Sequence, residues 1–506
     1  MLGELGKLEV FSAVVIIFIG IWYYLGGSKD YWKQLGVPGP KASTVFETAK
    51  GFVSAKRSIG EMVKDVCEQF SGEPLVGWYL FGKPLLLVCD LDLIKDVLIK
   101  DFSSFSERDI PVHENVEPLS AGLFSLETKR WRSLRPKLSP AFTSGKMKHM
   151  FAFIVECAEY FDKYLSVIVE KGEPIDCMEI SAQYTTDVIG SCAFGLQFNS
   201  LADEDSEFRK MGRKAFDSNF KVRFLILLRA AAPRLYELIG VPVIPADVSE
   251  FFTASIKQTI DYRKKNNVWR GDLVDTLIEL QDSPQKDDFG KSEKLTDSLL
   301  TAQAFVFFLA GFETSSTTIS HALLELAQHQ DIQEKLRQEI IQSLKKNNGN
   351  ISYDSVKEMK YLHMVFQETL RLRPPLVIHF RKAVTDYTFK GTNVTIQKGQ
   401  VIWVPIGEIQ HNPEYYPNPK VFNPERFTDE MCKARHPMTY LPFGDGPRNC
   451  IGERFAVFQT KVGLIKILAK YKIEVSEKVK LPYKPNAESF LLQPEGGVHL
   501  KFSKIN

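Results

Sequence analysis

The hydrophobic pattern is most distinct at residues 10–27, eighteen positions without a charge. At about 1.5 Å per residue this run spans roughly 27 Å, enough for a thin bilayer. Trp22, Tyr23 and Tyr24 sit toward one end, where aromatic anchors belong. Glu4 and Glu9 stand against Lys7 before the run, and no A-x-A site follows it, which argues against a cleaved signal peptide. Lys29, Lys33 and Lys41 come next, so the positive-inside rule leaves the bulk of the chain in the cytosol. The pattern predicts a retained signal anchor over 1–27 and a linker over 28–41. Within the linker, Val37-Pro38-Gly39-Pro40 reads as a stiff turn, because proline fixes φ and blocks helix continuation.

Over 42–506 the pattern predicts one large, mainly helical domain with a smaller β-rich part. Residues 77–81 and 85–89 read as two short strands around Gly82-Lys83-Pro84, a hairpin. Residues 283–294 are polar and charged, which predicts a loop. Thr296 offers an N-cap, and 297–329 contains no proline and one glycine, Gly311. That stretch predicts a single helix of about 50 Å. A short apolar run, 224–228, lies between Arg223 and Arg229. It predicts either an interfacial helix whose arginines snorkel to headgroups or an internal helix packed on the core. Beyond Arg373 prolines recur, at 374, 375, 405, 413, 417, 419, 424, 437, 442 and 447, predicting loops and short strands. Residues 453–471 then look helical.

Composition narrows the class. The 506 residues are 44% hydrophobic, ample for a large core, and a net charge of +2 is too balanced for nucleic-acid binding. The seven cysteines, Cys67, Cys89, Cys157, Cys177, Cys192, Cys432 and Cys450, are scattered and lack C-x-x-C spacing. This predicts neither a disulfide framework nor a zinc site, and it fits a reducing compartment.

The candidate chemistry centres on Phe443-Gly444-Asp445-Gly446-Pro447-Arg448-Asn449-Cys450-Ile451-Gly452. Here one cysteine stands where a glycine-rich loop meets a helix-like stretch. A helix N-terminus and free backbone N–H groups favour thiolate, the form that binds metal. Gly446 and Gly452 would let the backbone approach a large flat cofactor, and Arg448 can pair with an anionic group on it. The bland alternative is a buried structural cysteine before a core helix.

In the long helix, Ala310-Gly311-Phe312-Glu313-Thr314-Ser315 puts Ala310 and Thr314 on one face. Gly311 would remove bulk beside that face, so the small residues could admit a diatomic ligand over a cofactor; Thr314 would offer a hydroxyl, and Glu313 would pass protons. A packing site with a surface glutamate is the alternative. Glu368 and Arg371 form an i,i+3 acid–base pair, weak evidence alone. Leu372-Arg373-Pro374-Pro375 ends that helix, and Pro424-Glu425-Arg426-Phe427 follows. Trp131 and Arg135 share a helix face, while Pro136 puts that helix's later turns in doubt.

Together these segments resemble the cytochrome P450 family. The loop matches F-x-x-G-x-R-x-C-x-G, the long helix A-G-x-D/E-T-S/T, and the others E-x-x-R, P-E-R-F and W-x-x-x-R. Leu138-Ser139-Pro140-Ala141-Phe142-Thr143-Ser144-Gly145-Lys146-Met147-Lys148 is similar to the clan holding vertebrate family 3 and insect families 6 and 9. Tyr31-Trp32-Lys33 and the proline turn look most like insect family 6.

The resemblance implies the cytochrome P450 fold, with a long central helix over a non-covalent haem b. It implies Cys450 as iron ligand, with Phe443, Gly446 and Gly452 shaping the loop. Trp131, Arg135, Arg381 and Arg448 would meet the haem propionates, and Glu368, Arg371 and Arg426 would form a buried triad. Substrate contacts would fall on Phe124, Val306, Leu309, Val377, Ile378 and Leu491, each of which packs equally well as ordinary core.

The implied activity is monooxygenation of lipophilic small molecules with O2. G-x-G-x-x-G is absent, so electrons from NADPH would come through a separate cytochrome P450 reductase, with cytochrome b5 as a further partner. Arg132, Lys137, Lys146 and Lys148 would dock that reductase, on or just after the Trp131 helix. The site would be the endoplasmic reticulum membrane. Competing readings are a haem-thiolate isomerase or dehydratase, and a non-catalytic haem protein; the retained Glu313 and Thr314 argue against both.

Overall fold

The computed structural model describes residues 30–41, 50–80, 83–196, 200–201, 206–282, 285–286, 292–293 and 296–505. The expected anchor over 10–27 and Gly82 of the expected hairpin turn lie outside these residues.

The axis of the molecule is the helix Asp297–Gln328. The Thr296 hydroxyl caps it by accepting the Leu299 N–H at 3.2 Å. Nearly every face is buried, because helices pack around it on all sides. It is long and apolar enough to cross a membrane, yet its apolar surface is spent on protein contacts, as in any core helix that is hydrophobic all round. Helix Cys177–Ile189 lies along it, and Ser320 Oγ donates to the Cys177 carbonyl at 2.8 Å. Glu207–Ala215 and Ala246–Asn266 cross it through Phe208, Phe252, Phe308 and Phe312, whose ring centroids lie 4.8 to 6.3 Å apart. Glu453–Leu468 closes the same core.

The β part is a four-stranded sheet. Leu75–Leu80 pairs antiparallel with Lys83–Val88, which runs parallel to Val401–Val404, which pairs antiparallel with His379–Lys382. The two inner strands, Lys83–Val88 and Val401–Val404, are mostly apolar because both faces are covered. Leu75, Tyr79, Leu86, Val88, Ile402 and Val404 enter one cluster with Trp32. Their alternates Val76, Trp78, Leu85, Leu87 and Trp403 enter another with Met62, Val63 and Val66 of helix Ile59–Gln69. The proline turn is seated on this sheet: the Gly77 N–H donates to the Pro38 carbonyl at 2.7 Å, and Trp32 Nε1 to the Trp78 carbonyl at 2.9 Å.

Several expectations are corrected. The hairpin strands begin two residues earlier than the alternation suggests. The segment expected as a loop carries a short ladder, Gln285–Lys286 against Ser292–Glu293. Pro136 does not end its helix, which runs Thr128–Leu138. The proline forfeits one bond to the Arg132 carbonyl, while the Ser139 hydroxyl supports the end by donating to the Arg135 carbonyl at 2.8 Å. The last helix stops at Leu468, and Tyr471 opens a strand paired with His499–Lys504.

The run 224–228 belongs to helix Phe220–Ala231, and its Leu225 and Leu228 face inward onto Tyr236. Its arginines do not snorkel. Arg223 is buried and donates to the Val53 carbonyl, and Arg229 donates to the buried Glu117 carboxylate at 3.0 Å. The exposed large apolar residues of this helix are Phe220 and Phe224, with Lys221 exposed between them.

Candidate active site

The cysteine loop closes on itself. The Cys450 N–H donates to the Phe443 carbonyl at 2.9 Å, and the Asn449 N–H to the Gly446 carbonyl at 3.0 Å. The Phe443 ring stacks on Phe366 of helix Lys360–Leu372, with centroids 6.3 Å apart. Gly446 has φ +75°, and a Cβ there would lie 1.9 Å from the Leu98 carbonyl oxygen. Its close approach is thus to protein backbone, not to a cofactor as the sequence suggests. At Gly452 a Cβ would meet nothing within 4 Å, so that side of the loop has room.

Cys450 keeps an accessible surface, although protein surrounds it on most sides. That burial pushes its thiol up, while the Gly452 N–H, Arg135 and Arg108 pull the other way. A bound metal cation would pull further toward thiolate.

Beside the thiol lies a cluster of four arginines. Arg448 and Arg381 are almost wholly buried. Arg448 Nη2 donates to the Leu126 carbonyl at 2.8 Å, and its guanidinium lies 4.3 Å from the centre of the Trp131 ring. Arg381 Nη1 donates to the Phe380 carbonyl at 2.9 Å. Arg108, which sequence reasoning missed, donates to the Phe124 and Arg448 carbonyls at 3.0 and 2.9 Å. Arg135 donates to Asn449, at 3.0 Å to the carbonyl and 3.1 Å to Oδ1, and so braces the loop.

Among the described residues, none of the four donates a hydrogen bond to a carboxylate. Arg381 Nε and Nη2, and Arg448 Nε and Nη1, are buried without partners. Burial, followed by repulsion from Arg381, brings Arg448 down to about 9, and burial brings Arg381 to about 10. His379 falls to about 3 by burial and by the field of Arg381 and Arg108, so it is neutral. Unmet guanidinium donors beside an accessible thiol fit a metal-bearing ligand that carries carboxylates, which is what a haem and its propionates supply.

On the distal helix, Ala310 and Thr314 share a face as expected, and Thr314 Oγ1 donates to the Ala310 carbonyl at 2.7 Å. Gly311 has a different reason from the one its sequence suggests. A Cβ there would lie 2.7 Å from Ile189 Cδ1, so the glycine lets helix Cys177–Ile189 pack close rather than opening space for a diatomic molecule. The Gly311 carbonyl accepts from Gln459 Nε2 at 2.9 Å, which ties the distal helix to the cysteine helix.

Glu313 turns toward helix Glu207–Ala215, on the wall of a polar cavity of about 530 Å³. Burial raises its carboxyl, with Arg209 and a bond from Gln493 opposing.

The triad forms. Arg371 Nε and Nη2 grip the Glu368 carboxylate at 2.6 and 2.8 Å. Arg426 Nε lies 3.4 Å from the same group, and the Asn423 N–H donates to it at 2.8 Å. Glu368 and Arg371 are wholly buried.

The expected substrate residues separate. Phe124 meets Phe380 edge-on, with Arg108 over its ring. Val306 packs on Gly122, Leu309 is half-buried on the main core, and Leu491 lines the polar cavity beside Glu313. Val377 lies between Gly60 and Gly407, and Ile378 packs against the sheet cluster, both half-buried. Among the expected docking cations, Arg132 and Lys148 are exposed, while Lys137 and Lys146 are half-buried. Lys146 and Lys148 belong to the next helix, Ser144–Glu170.

Comparison with known proteins agrees with this geometry. The family model described as Cytochrome P450 matches residues 38–501. Similar proteins include Probable cytochrome P450 6a23 of Drosophila melanogaster, 42% identical over 94% of this chain and 95% of its own length. Probable cytochrome P450 6a13 of the same organism is 40% identical over 98% of both chains. Cytochrome P450 6A1 of Musca domestica is 38% identical over 99% of both. With one pattern running from the proline turn to the last strand, the chain belongs to the cytochrome P450 family, a haem-thiolate monooxygenase of the kind represented by insect family 6.

Proposed function

We propose that the chain oxidises lipophilic small molecules, xenobiotic or endogenous. Its electrons come from NADPH through a separate flavoprotein reductase, with cytochrome b5 as a further donor. The observation that carries the site assignment is the accessible Cys450 thiol beside buried Arg381 and Arg448, each with two guanidinium nitrogens that lack partners among the described residues. Cys450 is the iron ligand in this reading, and Arg381, Arg448 and Arg108 hold the propionates. Trp131 backs Arg448, and Arg135 fixes the loop through Asn449. When bound, the haem supplies activation of O2 and transfer of one oxygen atom to the substrate. Phe124, Val306, Leu309 and Leu491 exclude water and orient an apolar substrate. Glu313 draws protons from the polar cavity, and Thr314 carries them onto the Ala310 face.

The test is turnover of a panel of lipophilic compounds with reductase and NADPH. Oxygenated products should form only when both are present. Thr314→Ala should still consume NADPH, but with a several-fold lower yield of product and more peroxide. Reductase-independent conversion would overturn the electron route, and unchanged coupling across the panel would remove Thr314 from the mechanism.

Residues 1–27 anchor the protein in the endoplasmic reticulum membrane in this reading, 28–41 form a linker with a proline hinge, and 42–506 the cytosolic catalytic domain. Exposed Phe220 and Phe224, with Leu238 and Ile239 of the adjoining helix Pro233–Ile239, form a second membrane contact. In protein lacking 1–27, Phe220→Asp with Phe224→Asp should abolish most liposome binding. Unchanged binding would eliminate the contact.

A further inference from the structure

Glu313 is held by a side chain from the far end of the sequence. Gln493 Nε2 donates to Glu313 Oε1 at 2.8 Å and lies 3.3 Å from Thr317 Oγ1. An ionised Glu313 carboxylate can only accept, so the NH2 group is the side turned to it, and the Ser489 hydroxyl then donates to Gln493 Oε1 at 3.0 Å. The surrounding backbone is pinned as well. The Asn486 N–H donates to the Gln493 carbonyl at 2.7 Å, and the Leu492 N–H to the Pro375 carbonyl at 2.9 Å.

We propose that Gln493 is a positioning residue for the monooxygenase reaction, fixing the direction and protonation of Glu313 and so the pH range over which protons reach Thr314. This rests on the reading of Glu313 as a proton carrier given above.

Charged groups face Glu313 from several elements, yet none is placed to do what Gln493 does. Arg209 donates through Nε and Nη2 to Glu179, at 3.2 and 2.8 Å, and Arg213 donates to the same carboxylate at 2.9 Å. Both arginines favour the charged form of Glu313 only through space, and Glu179, on helix Cys177–Ile189, opposes them. Lys210, Lys214, Asp217 and Glu488 share the cavity wall and mix both signs. Among the described residues, Gln493 is the only side chain that donates a hydrogen bond to the Glu313 carboxylate. It carries no charge, so replacing it removes a bond without altering the field. A hydrogen bond to the carboxylate stabilises its charged form, so losing that bond raises the pH at which Glu313 takes up a proton.

The experiment uses the full-length, haem-loaded protein. Difference infrared spectroscopy follows the Glu313 carboxyl band, assigned by its loss in Glu313→Gln. Gln493→Met keeps the length and removes the N–H. It should move the infrared midpoint upward by roughly one pH unit, the worth of one charge-assisted bond. The pH at which product per NADPH is half-maximal should move with it, while haem content and the carbon monoxide spectrum stay unchanged. Gln493→Glu, which adds a like charge, should move both further. In the Glu313→Gln background, Gln493→Met should have no further effect. An unmoved infrared midpoint, or a moved midpoint with an unmoved coupling profile, would overturn the proposal. Wild-type coupling in Glu313→Gln would instead overturn the proton-carrier reading itself.

Discussion

Arg371→Ala protein should purify almost free of haem. The guanidinium it loses makes four contacts: both Glu368 oxygens, the Gln410 carbonyl at 2.8 Å and the Val421 carbonyl at 3.4 Å. Glu368 then stays buried with Arg426 at 3.4 Å and the Asn423 N–H at 2.8 Å. Breaking a buried pair from one side costs about 3–5 kcal/mol, because the stranded charge keeps its desolvation penalty. That is a large share of the roughly 5–15 kcal/mol that holds a domain folded.

The damage reaches the cysteine through a short path. Gln410 receives Arg371 on its carbonyl and accepts the Leu441 N–H on its side-chain oxygen at 3.0 Å. The Leu441 carbonyl in turn accepts the Gly444 N–H at 3.0 Å and His379 Nε2 at 2.9 Å. Loosening Gln410 thus frees the loop that presents Cys450. Haem content per protein, measured after purification, is the check. Arg371→Lys keeps the charge without the planar fork and should recover only part of the loading. A soluble, haem-replete Arg371→Ala protein would refute the account of the triad.

The site was legible in sequence where a residue's type and spacing fix its task. The Glu368–Arg371 pair, the Ala310–Thr314 face and the Cys450 loop all rest on local spacing, and local geometry reproduced them. The long helix was legible for the same reason: a cap at Thr296 and a stretch without proline.

What sequence could not supply was the partner across the fold. Gly311 reads as a gap for a ligand, yet Ile189, over a hundred positions earlier in the chain, fills that space. Gly446 reads as a cofactor approach but meets the Leu98 carbonyl. Arg108 lies between Glu107 and Asp109 and looks like one member of a solvated charge run, until folding lays it over Phe124 and Arg448. Arg223 and Arg229 flank an apolar run and suggest snorkelling; their bonds to Val53 and Glu117 appear only in three dimensions.

Cys450→Ser should abolish thiolate ligation altogether. A serine hydroxyl is far harder to ionise than a thiol, and it donates much less electron density to the iron. The expectation is sharp because the surrounding shell is otherwise intact. The Cys450 N–H would still close the loop on the Phe443 carbonyl, and the unmet Arg381 and Arg448 donors would still meet carboxylates. The variant should therefore bind haem weakly while losing monooxygenase activity by several orders of magnitude.

The central claim, that Cys450 carries the iron as a thiolate, is tested most directly by the carbon monoxide difference spectrum of the reduced protein. The wild-type chain should show the strongly red-shifted Soret band of a thiolate-ligated haem, and Cys450→Ser should lose it. A Cys450→Ser protein that keeps that band would contradict the assignment.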